Sequence, residues 1–492
     1  MQSPEIILSL VLGYFLLLII ISNYTSKRAS INTFFNADKK AKWYLVAYGM
    51  VGASLSGVTF ISVPGWVESS QLTYFQVVIG YFIGYFIVAY ILLPVYYKNN
   101  VTSIYEYLKI RFGPNTQKTG AFFFFVSRVL GASFRLFLVA LVLHQYIFKE
   151  WNIPFEITVI FSIILIWVYT HKGGIKTIIW TDTLQTTLMI LSVVFSIIFI
   201  LDGLNLSLIS FFDSNSFKGM NKIWVLENFT ERNYIIKSIL GGAFITICMT
   251  GLDQDMMQKN LACKDLKSAQ KNMIVFSFVL VIVTFLFLVL GTLLYSYANK
   301  MGINIPLFEG KKNTDLIFPE IALNHDLGSI VSITFILGLV AAAYSSADSA
   351  LTSLTTSFCI DFLNLNNYKI EKQKKIRMKT HIGMSILIII VVIIYKHVLD
   401  RNVIDSLLTV ASYTYGPLLG IFALGILTNY KINDKKVFFI SITSVLIVSL
   451  PNILYYFEII SSKNIMDYEI GYELLPLNGL ITFVGLILIS RK

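Results

Sequence analysis

Four oxygen-bearing side chains share one face of a strongly apolar segment in the second half of the chain. Ser345, Asp348, Ser349 and Thr352 follow one another at helical spacing (i, i+3, i+4, i+7) within the run at residues 330–360. A carboxylate in the bilayer costs roughly 2.5–3.5 kcal/mol on insertion scales and needs a partner. A row of oxygens around one acid suits a small hard cation. The alternative is that the hydroxyls bond carbonyls one turn earlier and that Asp348 caps a broken helix.

A second acid, Asp182, lies about two turns inside another apolar run, at residues 175–201. Such a buried acid also requires a partner. If Asp182 and Asp348 share a site, their like charges repel each other unless a cation lies between them. The alternative is that Asp182 meets Lys176 at the membrane interface.

A patch of small and hydroxyl residues interrupts a third apolar run, at residues 43–66. It reads V-G-A-S-L-S-G-V-T at residues 51–59. Glycines at positions 52 and 57 among clustered hydroxyls favour a break in the helix, and the carbonyls released at such a break can face a cation. The alternative is a close helix–helix contact between small residues.

Two arginines and an acidic cluster are the remaining charged features near the apolar runs. Arg128 and Arg135 are seven residues apart, nearly on one helix face. A guanidinium within a membrane span pairs with an acid or with an anionic ligand, so we expect at least one of them to be structural. We interpret Asp253-Gln-Asp255 as a cap and loop anchor where the run at 236–257 leaves the membrane on the cytoplasmic side.

The composition requires a lipid environment. The chain has 492 residues, a mean hydropathy of +0.71 and 14% charged residues, and a soluble protein of this size could not bury so much apolar surface. The net charge of +11 follows membrane topology along the chain, so we predict no nucleic-acid partner. Cys248, Cys263 and Cys359 have no metal-ligand spacing and imply no disulfide framework.

Thirteen apolar runs are long enough to span a bilayer as helices of roughly 20 residues. Alternate loops, beginning with the first, hold more than twice as many Lys and Arg residues as the other loops and their borders. By the positive-inside rule, this predicts an outside N-terminus and an inside C-terminus. We predict one all-α, polytopic membrane domain over residues 1–492. The predicted spans are 5–22, 43–66, 73–97, 119–147, 155–171, 175–201, 236–257, 272–298, 328–360, 380–399, 404–429, 436–456 and 471–490.

Five motifs follow one another along the chain, and together they are more specific than any one of them alone. They are S-L-S-G-V-T-F at 54–60, W-T-D at 180–182, D-Q-D-x-x-Q at 253–258, A-A-A-x-S-S-x-x-S at 341–349 and Y-G-P-x-x-G at 415–420. Together they resemble the sodium:solute symporter family of sodium–glucose, sodium–proline and sodium–sialic acid carriers, over about residues 5–430.

The resemblance implies an inverted-repeat transporter fold with two five-helix halves and discontinuous first and sixth core helices. An extra N-terminal helix would lie at about 5–22, the core repeats at about 43–201 and 236–429, and C-terminal helices at about 436–490.

The resemblance also implies sites. The main sodium site would use Gly52, Leu55, Ala342, Ser345 and Ser346. A second sodium site, present in some members, would use Asp182, Ser345, Asp348 and Ser349, although many relatives have a small or hydroxyl residue where Asp348 stands. The implied substrate-binding residues are Ser54, Ser56, Thr59, Tyr74, Gln76, Phe244 and Thr246, with Arg128 or Arg135 for a carboxylate.

We therefore predict a sodium-coupled symporter in the cell (inner) membrane that imports a small polar organic solute, a sugar or sugar acid, by alternating access. Na+ is the predicted coupling ion, the solute and the bilayer are the other partners, and the oligomeric state stays open. The same fold driven by protons is the alternative, because two acids are neighbours.

A membrane sensor would need an appended signalling domain, and a membrane enzyme would need a His or Cys constellation. The five histidines lie near predicted helix ends and loops with no mutual spacing, so we predict that the protein is not an enzyme. They are His144, His171, His325, His381 and His397.

Overall fold

The computed structural model describes residues 4–27, 30–146, 148–308, 310–325, 327–398, 403–456 and 470–491, and these residues are mainly α-helical. We number the long helices α1 to α13 and use a and b for the two parts of a broken helix. They are α1 Pro4–Thr25, α2a Trp43–Ser54, α2b Gly57–Ser70, α3 Tyr74–Lys98, α4 Pro114–Tyr146, α5 Phe155–Gly173, α6 Ile175–Leu204, α7a Ile235–Gly251, α7b Gln254–Leu261, α8 Leu266–Met301, α9 Ser329–Phe362, α10 Ile370–Val398, α11 Val403–Leu427, α12 Val437–Tyr456 and α13 Leu474–Leu488.

Short elements join these helices. Two pairs of antiparallel strands are present in the described chain, Leu307–Phe308 with Lys311–Lys312 and Lys431–Ile432 with Ser490–Arg491. The short helices are Ile31–Asn36, Glu106–Arg111, Leu208–Asp213, Asn215–Lys218 and Ile317–Asn324. Single 3-10 turns are Ala37–Lys39, Phe148–Trp151, Thr314–Leu316, Leu365–Asn367 and Asp434–Lys436.

The outer surfaces of the helices are apolar, as a lipid environment requires. Leu16, Ile198 and Ile282 are each more than half exposed, whereas many hydroxyl and charged side chains are buried within the bundle. Among the described residues, eight helices are long and apolar enough to cross a membrane, and two bent helix pairs each add one such span. The protein is therefore a multi-pass, all-helical membrane protein.

The first break predicted from the small-residue patch lies between α2a and α2b, which meet at 54°. Helical hydrogen bonding stops with Leu55 N to Val51 O and resumes with Phe60 N to Ser56 O. The carbonyls of residues 52–55 are thereby released from helix pairing. Gly52 N donates to Thr186 Oγ1 of α6 at 3.0 Å, so α6 packs against α2a just before the break.

The second break separates α7a from α7b, at an angle of 63°. A π-helical turn, Ile247–Gly251, precedes it, and Asp253 caps α7b by accepting from Asp255 N at 2.8 Å and Met256 N at 3.3 Å. All eight residues of α7b are buried. The predicted capping role of the cluster is confirmed for Asp253. The predicted exit into a loop is wrong, because the chain continues as the buried helix α7b.

Helix α9 lies in the middle of the bundle and packs against α4, α6 and both parts of α2. Gly338 of α9 allows Ser192 of α6 and Phe60 of α2b to approach, since a Cβ there would lie 2.8 Å and 3.0 Å from them. Further along α9, Ala343 Cα lies 3.9 Å from the Cβ position of Gly57. α9 therefore passes directly beside the break in α2.

Loops that the charge pattern predicts on one side of the membrane do meet one another. Ala41 forms a β-bridge with Cys263, and the strand 431–432 pairs with 490–491. Asp434 caps α4 through hydrogen bonds from Asn115 and Thr116. Partial burial opposes its charge, but those hydrogen bonds hold the pKa of Asp434 below its ordinary value.

Candidate functional site

A cavity opens between the two broken helices, beside their breaks. Predicted substrate-binding residues from four different helices line it: Ser54, Ser56, Thr59, Tyr74, Arg128, Arg135 and Thr246. Four further polar residues line it that the sequence analysis missed: Tyr81, Tyr85, Thr250 and Thr284. The spacing of Tyr81 and Tyr85 after Tyr74 (i+7 and i+11) was the available signal, because it places them on the same face of α3. The cavity therefore has hydroxyl groups on several sides, beside apolar surface from residues such as Leu55, Val58 and Met256.

Two of the predicted substrate-binding residues lie outside the lining of this cavity. Gln76 lies outside the cavity, where its Nε2 donates to Asn233 O at 3.0 Å and its Oε1 accepts from Val225 N at 3.1 Å. Its amide holds the segment before α7a in place. Phe244 also lies outside the lining and packs, partly buried, against the apolar core.

The two arginines of α4 have different surroundings. Arg128 contacts Asp255 in an ion pair, and its other guanidinium nitrogen lies 3.8 Å from Asp253 Oδ2. Asp253 also accepts a hydrogen bond from Tyr415 OH. Arg128 thus pairs with both acids at the break in α7, and its single positive charge balances one of their two negative charges. Arg135 is buried and forms no ion pair with any described residue, and its Nε has no hydrogen-bond partner there.

The residues predicted for the main sodium site lie where α9 passes the break in α2. Ser346 is buried, with 1% of its surface exposed, and its Oγ has no hydrogen-bond partner in the described part of the chain. Ser345 Oγ donates to Asp182 Oδ1 at 2.6 Å. Orphaned hydroxyl oxygen and released carbonyls are the ligands that a hard monovalent cation accepts. These residues therefore fit a sodium ion.

The second predicted set has a partner that the sequence analysis placed in a cytoplasmic loop. Lys259 of α7b lies with its Nζ 2.7 Å from Asp182 Oδ2. The partner of Asp182 is therefore Lys259 rather than Lys176. Asp348 accepts from Tyr169 OH at 2.7 Å through Oδ2.

Within the described residues, Asp348 Oδ1 and the hydroxyls of Ser349 and Thr352 have no hydrogen-bond partner. Since α9 is continuous there and Ser345 donates to Asp182, the alternative of back-bonding and a capped helix break does not hold for Ser345 and Asp348.

Two broken helices that surround a polar cavity in a membrane-spanning bundle define a secondary transporter of the broken-helix type. The model of the sodium:solute symporter family matches residues 34–442. The chain belongs to that family.

Relatives of known activity agree with this assignment. The chain is 23% identical over 415 residues to a sodium/sialic acid symporter of Aliivibrio fischeri, covering 82% of this chain and 79% of that protein. It is 26% identical over 397 residues to sodium-coupled monocarboxylate transporter 1 of Mus musculus, covering 78% of this chain and 62% of that protein.

A solved structure of a Na+-coupled sialic acid symporter, in a substrate-bound outward-open state, has the same fold. Its TM-score is 0.81 at 21% identity, with 99% of each chain covered. The match to the family model confirms the predicted family. Together with these relatives, it confirms the sodium:solute symport activity and Na+ as the coupling ion.

Proposed function

We propose that the solute of this symporter is a small carboxylate-bearing molecule, such as a sugar acid, and that Arg135 binds its carboxylate. The observation that supports this is the contrast between the two arginines of α4. Arg128 is neutralised by Asp253 and Asp255, whereas Arg135 lines the cavity without an acidic partner among the described residues. A buried guanidinium requires an anion, and a carboxylate matches its planar set of donors.

The names of the relatives support the same solute class. Sialic acid and monocarboxylates share a carboxylate, although they differ in the rest of the molecule. The hydroxyl groups around Arg135 would hold the polar body of a sugar acid, with neutral hydrogen bonds supplied by residues of α2, α3 and α7a. Those residues are Ser54, Ser56, Thr59, Tyr74 and Thr246.

We further propose that the main sodium ion binds between the break in α2 and α9. Its ligands would be the carbonyls of Gly52, Leu55 and Ala342 and the hydroxyls of Ser345 and Ser346. An ion at this position would join α2 to α9 and so favour one arrangement of the two halves. Solute bound beside the break would then be carried when the halves rock against each other.

The proposed architecture has thirteen spans, ten of them in two repeats at about 43–201 and 236–429. The N-terminus lies outside and the C-terminus inside, in the cell (inner) membrane. The contacts between loops support this alternation. On the other face from the Ala41–Cys263 bridge, Lys300 Nζ donates to Leu204 O at 3.0 Å and Lys222 N to Gln71 Oε1 at 3.0 Å. These four residues belong to loops or borders predicted on the outside.

The test is a thermal-shift screen of the purified protein against sugars, sugar acids, other monocarboxylates and amino acids, with and without sodium. We expect carboxylate-bearing solutes to stabilise the protein, because a ligand of the native state raises its stability. The stabilisation should be larger in NaCl than in KCl, because sodium is bound together with the solute. A neutral sugar that stabilises the protein as strongly as the matching sugar acid would contradict the solute class. Uptake into vesicles at equal rates in NaCl and KCl would contradict the proposed sodium site.

The proton-driven alternative has one observation in its favour, the buried Asp348 with an unpartnered Oδ1. If protons drive transport, a pH gradient should drive uptake in the absence of sodium, and Asp348→Asn should abolish that coupling. If sodium drives transport, uptake by the wild-type protein should follow the sodium gradient at a fixed pH, and a pH gradient without sodium should drive none.

A further inference from the structure

A buried lysine lies where the second sodium ion was predicted. Lys259 is 1% exposed, and its Nζ lies 2.7 Å from Asp182 Oδ2. The other carboxylate oxygen of Asp182 accepts the hydrogen bond of Ser345 Oγ at 2.6 Å. Both oxygens of Asp182 are therefore engaged by groups of the protein, and a sodium ion would have to displace an ammonium to bind there.

The ammonium reaches this position because α7b bends by 63° from α7a and runs buried within the bundle. Gln258, the residue before Lys259, donates through Nε2 to Phe35 O at 2.6 Å and to Thr356 Oγ1 at 3.0 Å. Asn260, the residue after it, accepts from Asn272 Nδ2 at 2.7 Å. Buried hydrogen bonds thus hold the backbone on both sides of Lys259, which keeps its side chain directed at α6.

The charges around Lys259 determine how many sodium ions bind near Asp182 and Asp348. Asp182 and Asp348 are both buried, at 1% and 0% exposure, and Lys259 supplies one positive charge. Among the residues that the structure describes, the other groups facing the two acids are neutral: Tyr169 OH donates to Asp348, and the Gln185 amide lies 3.3 Å from Asp182 Oδ1. One negative charge is left over. Because an uncompensated buried charge is strongly unfavourable, one sodium ion completes the balance.

We propose that Lys259 is a tethered cation at Asp182, so that it occupies the predicted second sodium site and the protein binds one sodium ion rather than two. This inference rests on the proposed main sodium site, and it makes Lys259 a determinant of ion stoichiometry. It also has an electrical consequence. One sodium ion with a singly charged carboxylate moves no net charge per cycle, whereas two sodium ions would move one positive charge.

The experiment counts sodium directly and needs no knowledge of the solute. Radioactive sodium binding at saturation is measured at pH 8 on the purified full-length protein, on Lys259→Met, and on Lys259→Met/Asp182→Asn, which removes both charges of the pair. We expect about one sodium ion per chain in the wild type, about two in Lys259→Met and about one in the double variant, because charge balance fixes each number.

Each outcome distinguishes the inference from the proposal on which it rests. Two sodium ions per wild-type chain, or no gain in a folded Lys259→Met variant, would overturn the role of Lys259 and leave the main site intact. No sodium on the wild type would overturn both. If Lys259→Met does not fold, the double variant decides: wild-type binding supports the inference, and loss of a sodium ion overturns it.

Discussion

The two arginines of α4 should respond in opposite ways to the same substitution. In Arg128→Met, Asp253 and Asp255 lose their cation while they remain buried. Breaking a buried ion pair by removing one partner costs about 3–5 kcal/mol, so this variant should melt well below the wild type. Arg135→Met breaks no described ion pair, so its melting temperature without solute should fall much less than that of Arg128→Met.

Solute binding should show the reverse order. Arg135→Met loses the proposed charge-assisted contact with the carboxylate, and truncation of one partner of such a pair costs about 2–5 kcal/mol, which corresponds to about 30-fold or more in Kd. Arg135→Lys should recover part of the affinity, because an ammonium keeps the charge but lacks the planar pair of donors. Sialic acid binding in saturating NaCl, measured by calorimetry, gives these values.

The control for Arg128→Met is Arg128→Met/Asp255→Asn, which removes one of the two acids that lost their cation and should recover part of the lost stability. The reasoning would be refuted if Arg128→Met melted like the wild type, or if Arg135→Met bound a carboxylate solute with unchanged affinity. Either result would mean that the described pairing of acids and cations does not govern this cavity.

Three further predictions concern single positions. Ser346→Ala should weaken sodium binding about fivefold, since it removes one unpaired hydroxyl ligand worth about 1 kcal/mol. Ser353→Ala, whose hydroxyl already donates to Ala350 O, should leave the sodium half-saturation unchanged. Gly80→Ala places a Cβ 2.9 Å from Ala243 N and should lower stability by about 1–3 kcal/mol, measured by thermal melting, whereas Gly13→Ala meets nothing within 4 Å and should be neutral. Asp434→Ala should lower the melting temperature at pH 7; because the folded pKa is depressed, this stabilisation is present above the unfolded value of about 3.9 and is lost as the pH falls through the folded pKa. An equal effect of Asp434→Ala at pH 7 and at pH 3 would contradict the capping role.

The amino-acid sequence determined the features that depend on local pattern. Long apolar runs specify membrane helices, because lipid leaves no other way to satisfy the backbone. Glycines and hydroxyls at 52–59 specified the break in α2, which the structure shows at Leu55 and Ser56. The ordered motifs specified the family and its coupling ion. Each of these signals is readable within a short stretch of chain.

Only the tertiary structure decided which charges meet. Arg128 and Arg135 are both arginines on one face of α4. No local pattern tells which of them forms the ion pair with the acids of α7. Lys259 follows an acidic cluster and precedes a basic stretch, so the sequence alone placed it in a cytoplasmic loop. The structure turns α7b inward and brings its ammonium to Asp182, 77 positions earlier. Buried charges are paired by long-range packing, because the cost of leaving them unpaired exceeds any local preference.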